Sequence, residues 1–131
     1  MDTTKEYILM CEKAKEIQKL VDKQVNFSDY IDEFIFGSNL NYFAFKNLRL
    51  KKDKYADNNI TWLPRQDQLQ EMLINPLLSN GLIHQIKNKL NNFRIEKEVQ
   101  GKIISMEQYL LLIVMKEKYN KVWNGKDWEV R

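Results

Sequence analysis

From Tyr109 to Met115 the chain reads Tyr-Leu-Leu-Leu-Ile-Val-Met, a run without a single charged residue. Ser105 and Gln108 stand just before it at the spacing of a capping box, in which the serine hydroxyl accepts from the first turn while the glutamine reaches back. The spacing predicts a helix from Met106 to Tyr119. Such a helix has no polar face to give to water and must be surrounded by protein. It is too short an apolar run for a membrane span, which needs roughly 20 residues. The run therefore marks the centre of a folded core, and every other element has to be placed with respect to it.

The chain's 131 residues suffice for one domain that buries roughly two-thirds of its unfolded surface. No internal repeat, low-complexity tract or dividing linker interrupts residues 1–131, so a single domain is expected. Thr3 and Glu6 have the spacing of another capping box, and Tyr7, Cys11, Ala14, Ile17 and Val21 recur at helical steps, with Met10 and Leu20 widening the stripe. A first amphipathic helix is expected to about Lys23. Pro64 suits the first position of a second, short helix, where its missing N–H costs nothing. Asp67 then falls in the first turn, Leu69, Met72 and Leu73 supply the buried edge, and Asn75-Pro76 stops it. A third helix follows Asn80-Gly81, with Leu82, Ile83, Ile86, Leu90 and Phe93 on one stripe, and Arg94 to Lys102 reads as a loop.

Residues 27–60 admit two readings. Phe34-Ile35-Phe36 and Tyr42-Phe43-Ala44-Phe45 flank the turn signal Gly37-Ser38-Asn39, as in a hairpin, and Ile60-Thr61-Trp62 is a short extended stretch. A helical period also passes through Phe36, Leu40, Phe43 and Leu50. Strands are preferred. Near the end, Trp123-Asn124-Gly125-Lys126-Asp127-Trp128 signals a hairpin, because Asn-Gly takes the positive φ angles of a tight turn. The fold class that results is α+β: four helices, a small antiparallel sheet from residues 33–62 and a C-terminal β-hairpin.

Apolar residues make up 44% and charged residues 30%, the balance of an ordinary globular protein. The lone Cys11 excludes an internal disulfide, and the polar, acidic start is unlike a secretory signal. A cytoplasmic protein without a membrane segment is expected. The net charge of +3 is too small to announce a nucleic-acid partner. Its distribution is uneven: residues 1–40 hold five lysines against eight acids, and residues 41–60 five basic groups against two acids.

Catalytic arrangements are scarce. His84 is the only histidine, so a Ser-His-Asp or Cys-His pair would have to use it, and no glycine-rich elbow presents a serine. There is no phosphate loop, dinucleotide fingerprint or metal-spaced cluster of His and Cys. Asp29, Asp32 and Glu33 lack the glycine-turned loop of oxygen ligands that a hard cation requires. A non-enzymatic protein with no catalytic residues, cofactor or metal is expected.

Two segments could serve binding. Residues 42–55 interleave aromatics with Lys46, Arg49, Lys51, Lys52 and Lys54, as single-strand nucleic-acid binders do to stack bases and neutralise phosphates. The same pattern describes a half-buried strand with a lysine-protected edge. Trp62, Trp123 and Trp128 are candidate interaction residues, although tryptophans flanking a terminal hairpin more often fold onto the nearest helix as a lid.

Trp62-Leu63-Pro64-Arg65-Gln66-Asp67-Gln68-Leu69-Gln70-Glu71-Met72 is a distinctive block. With Ser105-Met106-Glu107-Gln108, Val114-Met115-Lys116-Glu117-Lys118-Tyr119 and Trp123-Asn124-Gly125-Lys126-Asp127-Trp128, it resembles a family of small uncharacterised proteins of phages and prophages of low-GC Gram-positive bacteria. Cys11 to Gln18 is similar too, whereas Phe27 to Asn59 matches poorly, and Tyr109 to Leu112 stands where many members carry a tryptophan. The resemblance implies a phage origin and brings no activity with it. The expectation is an accessory protein in the host cytoplasm that acts through contact with another protein. A nucleic-acid-binding accessory factor is the alternative, and the oligomeric state is left open.

Overall fold

Thr4 begins the first helix. Its backbone is extended (φ −67°, ψ 154°), and its hydroxyl accepts from the N–H of Tyr7 at 3.2 Å. The cap thus falls one residue later than the Thr3/Glu6 pair suggested, and the Tyr7 ring enters the core with its hydroxyl on the Pro64 carbonyl at 2.6 Å. A computed structural model describes residues 2–21, 29–30, 35–38, 41–45, 60–74, 81–95 and 99–131. Their elements are of the α+β class, in two compact units, Thr3–Arg65 and Asp2 with Gln66–Arg131.

In Thr3–Arg65 the helices are α1 (Lys5–Lys13) and α2 (Lys15–Gln18). The single helix expected to Lys23 is broken at Ala14, whose ψ of 73° leaves the helical region, and it ends at Gln18. Gln18 supplies the reason for the break. Its Nε2 donates to the Cys11 carbonyl at 3.0 Å and to the Trp62 carbonyl at 2.9 Å, while its Oε1 accepts from the Trp62 N–H at 2.7 Å. One side chain thereby satisfies a carbonyl near the break and both backbone groups of a strand residue.

That strand is β4 (Ile60–Leu63), at the edge of an antiparallel sheet of order β1-β2-β3-β4, with β1 (Asp29–Tyr30), β2 (Ile35–Ser38) and β3 (Asn41–Phe45). The register sets Phe36 opposite Phe43, and Phe43 opposite Trp62. Among the described residues strands prevail over the helical reading, while Leu40 and Leu50 of the helical period lie outside them, and the strands of the sheet run from residue 29 to residue 63 rather than from 33 to 62. Gly37 and Ser38, read as turn residues, lie inside β2 opposite Tyr42 and Asn41, because pairing across the sheet overrides a local breaker. Phe43 and Ala44 point to opposite faces and are both buried, as are all four residues of β4. Around them the sheet is covered on both sides, not half-buried.

The second unit starts with α3 (Gln66–Leu73), two residues beyond the expected proline start. A proline restricts the residue before it to extended backbone, which keeps Leu63 in β4, and the Pro64 carbonyl is taken by Tyr7. Leu69 and Leu73 are buried and Met72 is half-buried. Helix α4 (Leu82–Asn92) buries Gln85 and Ile86 and leaves Ile83, placed on the apolar stripe by its sequence, 72% exposed.

Helix α5 (Met106–Tyr119) is the core helix that its sequence predicts. Leu110 to Met115 are buried without interruption, and six successive residues at 3.6 per turn point in every direction around the axis. Ser105 caps it, accepting from the Gln108 N–H at 3.1 Å and donating to the Asp2 carboxylate. Gln108 reaches back to the N–H of Ile104 at 2.8 Å, one residue before the expected partner. At the far end Asn120 adopts the left-handed conformation (φ 54°, ψ 41°), and its N–H returns to Lys116 and Met115. Strands β5 (Lys121–Trp123) and β6 (Trp128–Val130) then form the expected hairpin beside the helix.

Candidate functional site

The three tryptophans are part of the packing. Trp62 is 3% exposed, Trp123 1% and Trp128 8%. Trp123 and Trp128 face each other across the hairpin with ring centroids 5.1 Å apart and planes at 50°. Large aromatics placed this way contribute buried area rather than a ligand platform, so the hairpin forms a lid. One main-chain bond and one side chain hold it: Arg131 N–H donates to the Asn120 carbonyl at 3.1 Å, and Lys116 Nζ donates to the Arg131 carbonyl at 3.1 Å. The Trp62 Nε1 is buried and makes no hydrogen bond.

The hairpin loop is wider than a two-residue Asn-Gly turn. Residues 124–127 all lie between the paired tryptophans, and Gly125 alone among them has positive φ, at 99°. The Asn124 side chain organises the loop, its Oδ1 accepting from Lys126 N–H at 2.8 Å and Asp127 N–H at 2.9 Å. This Asx turn relieves the asparagine of the left-handed backbone that a tight turn demands. Asn124 Nδ2 donates to Glu129 Oε1 at 2.5 Å, and Arg131 donates to Glu129 Oε2 at 3.0 Å. The Asn124 bond first, and the Arg131 bond after it, hold the Glu129 carboxyl below its ordinary value.

Lys46, Arg49, Lys51, Lys52 and Lys54 lie outside the described residues, as do Asp32 and Glu33. Of the aromatics that open the basic segment, Tyr42 is half-buried and Phe43 is 1% exposed, so the Phe43 ring is not presented for base stacking. Among the described residues no group of three His, Cys, Asp or Glu side chains is placed to hold a metal ion. Cys11 is buried, and His84 lies exposed on α4 with its Nε2 3.2 Å from Asn88 Nδ2. None of the described helices is long and apolar enough to cross a membrane.

The surface that sequence reading missed is the outer side of α4. Gly81, Ile83, His84 and Lys87 line an open groove there, with Ile83 as its apolar element. No helical-wheel angle separates it, since Ile83 lies on one face with Ile86 and Leu90 as well as with Lys87. The structure turns Ile83 outward with Lys87 and gives polar Gln85 the inward position beside Ile86. Among the described residues of this unit, Ile104, 72% exposed, and Met106, 41% exposed, are the other large apolar side chains left in water ahead of or within a helix. Neither a family model nor a curated protein nor a solved structure matches the chain.

Proposed function

We propose that the chain is an accessory protein of phage or prophage origin that acts without catalysis, by contact between its α4 surface and another protein. The observation that carries this reading is the exposure of Ile83 on an open groove beside His84 and Lys87. An aliphatic side chain in water beside two polar residues is a small anchor of the kind that binding desolvates, with the polar neighbours at its rim. The three tryptophans support the same choice by elimination, since their burial commits them to the fold.

Affinity capture from infected or induced host cells tests the proposal when the wild-type chain is compared with Ile83→Glu. A partner retained by the wild type and lost with Ile83→Glu, with the circular dichroism of the two proteins unchanged, is the expected result. Equal capture by both removes α4 from the interface. If instead the protein binds oligonucleotides with an affinity that falls steeply with salt, and neutralising Lys51 and Lys52 flattens that dependence, the nucleic-acid reading replaces this one.

A further inference from the structure

The Asn124-Gly125 pair has no part in the α4 surface, and its chemistry is distinctive. In an Asn-Gly pair the backbone nitrogen after the asparagine can attack the side-chain Cγ, since glycine has no Cβ to crowd the approach. A C–N bond closes a five-membered imide, the attacking nitrogen gives its proton to solvent base, and Nδ2 takes up a proton and leaves as ammonia. Water then adds to one of the two imide carbonyls and opens the ring to aspartate or isoaspartate. Neither an oxidant nor a reductant is consumed.

In the folded hairpin both polar atoms of the Asn124 carboxamide are engaged. Oδ1 holds the N–H groups of Lys126 and Asp127, Nδ2 is held by Glu129, and the Asn124 N–H itself donates to the Asp127 carbonyl at 3.1 Å. Closing the imide turns the carboxamide out of this arrangement and breaks its bonds to the loop and to Glu129. We propose that Asn124 is a deamidation site gated by the hairpin, with Glu129 as the group that keeps it shut. The reaction proceeds from the open loop. Substitution at residue 125 is not a free escape from the hazard, because a side chain at φ 99° is strained even though a Cβ there would meet no neighbour.

Once made, the change works against reclosure. Aspartate at 124 sets a carboxylate against Glu129 in place of the amide donor, with Asp127 nearby in the same loop. Isoaspartate adds a carbon to the backbone between Trp123 and Trp128 and breaks their register. The site is therefore a one-way latch on the hairpin.

The test follows deamidation of the full chain by peptide mass mapping, with enzymatic methylation to score isoaspartate, in native buffer and in denaturant at the same pH. Native protein is expected to react at least about tenfold more slowly, the factor that a local opening free energy of roughly 1.4 kcal/mol imposes. Glu129→Ala is expected to raise the native rate several-fold, and Glu129→Gln, which keeps an acceptor, by less. Arg131→Ala removes the other partner of Glu129 but leaves the Asn124 bond, and is expected to react at the wild-type rate. Near-ultraviolet circular dichroism of the paired tryptophans reports whether each variant keeps the hairpin. Equal rates in native and denatured protein overturn the proposal, as does Glu129→Ala reacting like wild type. Arg131→Ala reacting as fast as Glu129→Ala overturns the role given to Glu129.

Discussion

Helices α4 and α5 belong to the same unit and differ in nearly every source of stability. At the start of α5 a serine hydroxyl and a glutamine amide satisfy backbone N–H groups, and Ser105 is tied in turn to Asp2. At the start of α4 stands Gly81, extended (φ −64°, ψ 157°) and without a side-chain cap. The central turns of α5 are buried all round, whereas α4 buries Gln85 and Ile86 and turns Ile83, His84 and Lys87 outward. Tyr109 on α5 joins them, its hydroxyl donating to the Leu90 carbonyl at 3.1 Å and its ring meeting Phe93 edge-on at 5.7 Å. The contrast teaches that one helix organises the unit and the other is free to present a surface.

The largest expected effect follows directly. Leu112→Ala, in the middle of the buried run, should cost roughly 2–5 kcal/mol in denaturant unfolding, and a cost below 1 kcal/mol would show that α5 is not the organiser. Ser105→Ala comes next, at about 0.5–2 kcal/mol for a lost cap. The Asp2 carboxylate also loses the Ser105 hydroxyl as a donor, which places the expectation in the upper half of that range. A loss indistinguishable from zero would make the cap dispensable.

Gly81→Ser probes the other helix with the opposite sign. The extended backbone tolerates a side chain and a Cβ meets nothing within 4 Å, so a serine cap should stabilise by a few tenths of a kcal/mol. Thermal melting of the variant checks the sign. Ile83→Glu should leave stability within about 0.5 kcal/mol of wild type, because it removes an exposed side chain. A large loss would return Ile83 to the core and remove the contrast altogether.

The smallest effect is one of pH. Glu129 is held below its ordinary carboxylate value, so its bonds to Asn124 and Arg131 contribute fully above the unfolded value and are lost as the pH falls through the lowered one. The melting-temperature gap between wild type and Glu129→Gln should therefore be present at neutral pH and close in acid. A gap that persists unchanged into acid would show that the carboxylate charge does not matter to the hairpin.

How much could be read beforehand depended on how local each cause was. The core helix was legible from end to end, because Ser105, Gln108 and the run to Met115 act within a few turns of one another. The terminal hairpin was equally visible, since the two tryptophans bracket a loop-forming tetrapeptide. Their burial was only one of two readings, and it took the returning strand and the Arg131-to-Asn120 bond to choose the lid. The α4 groove was hidden by a stripe that counted Ile83 with Ile86 and overlooked Gln85.

Local signals in the amino-acid order thus determined the α+β class, the central helix, the cap at Ser105 and the hairpin, all of them interactions between residues close in the chain. Tertiary structure alone decided the break at Ala14, the true start of α3 and the inclusion of Gly37 in a strand. Each of these turns on a partner far along the sequence or across a sheet: Gln18 with the Trp62 backbone, Tyr7 with the Pro64 carbonyl, and Gly37 opposite Tyr42. A buried backbone group must be satisfied by whatever the fold brings to it. No local pattern announces which distant side chain that will be.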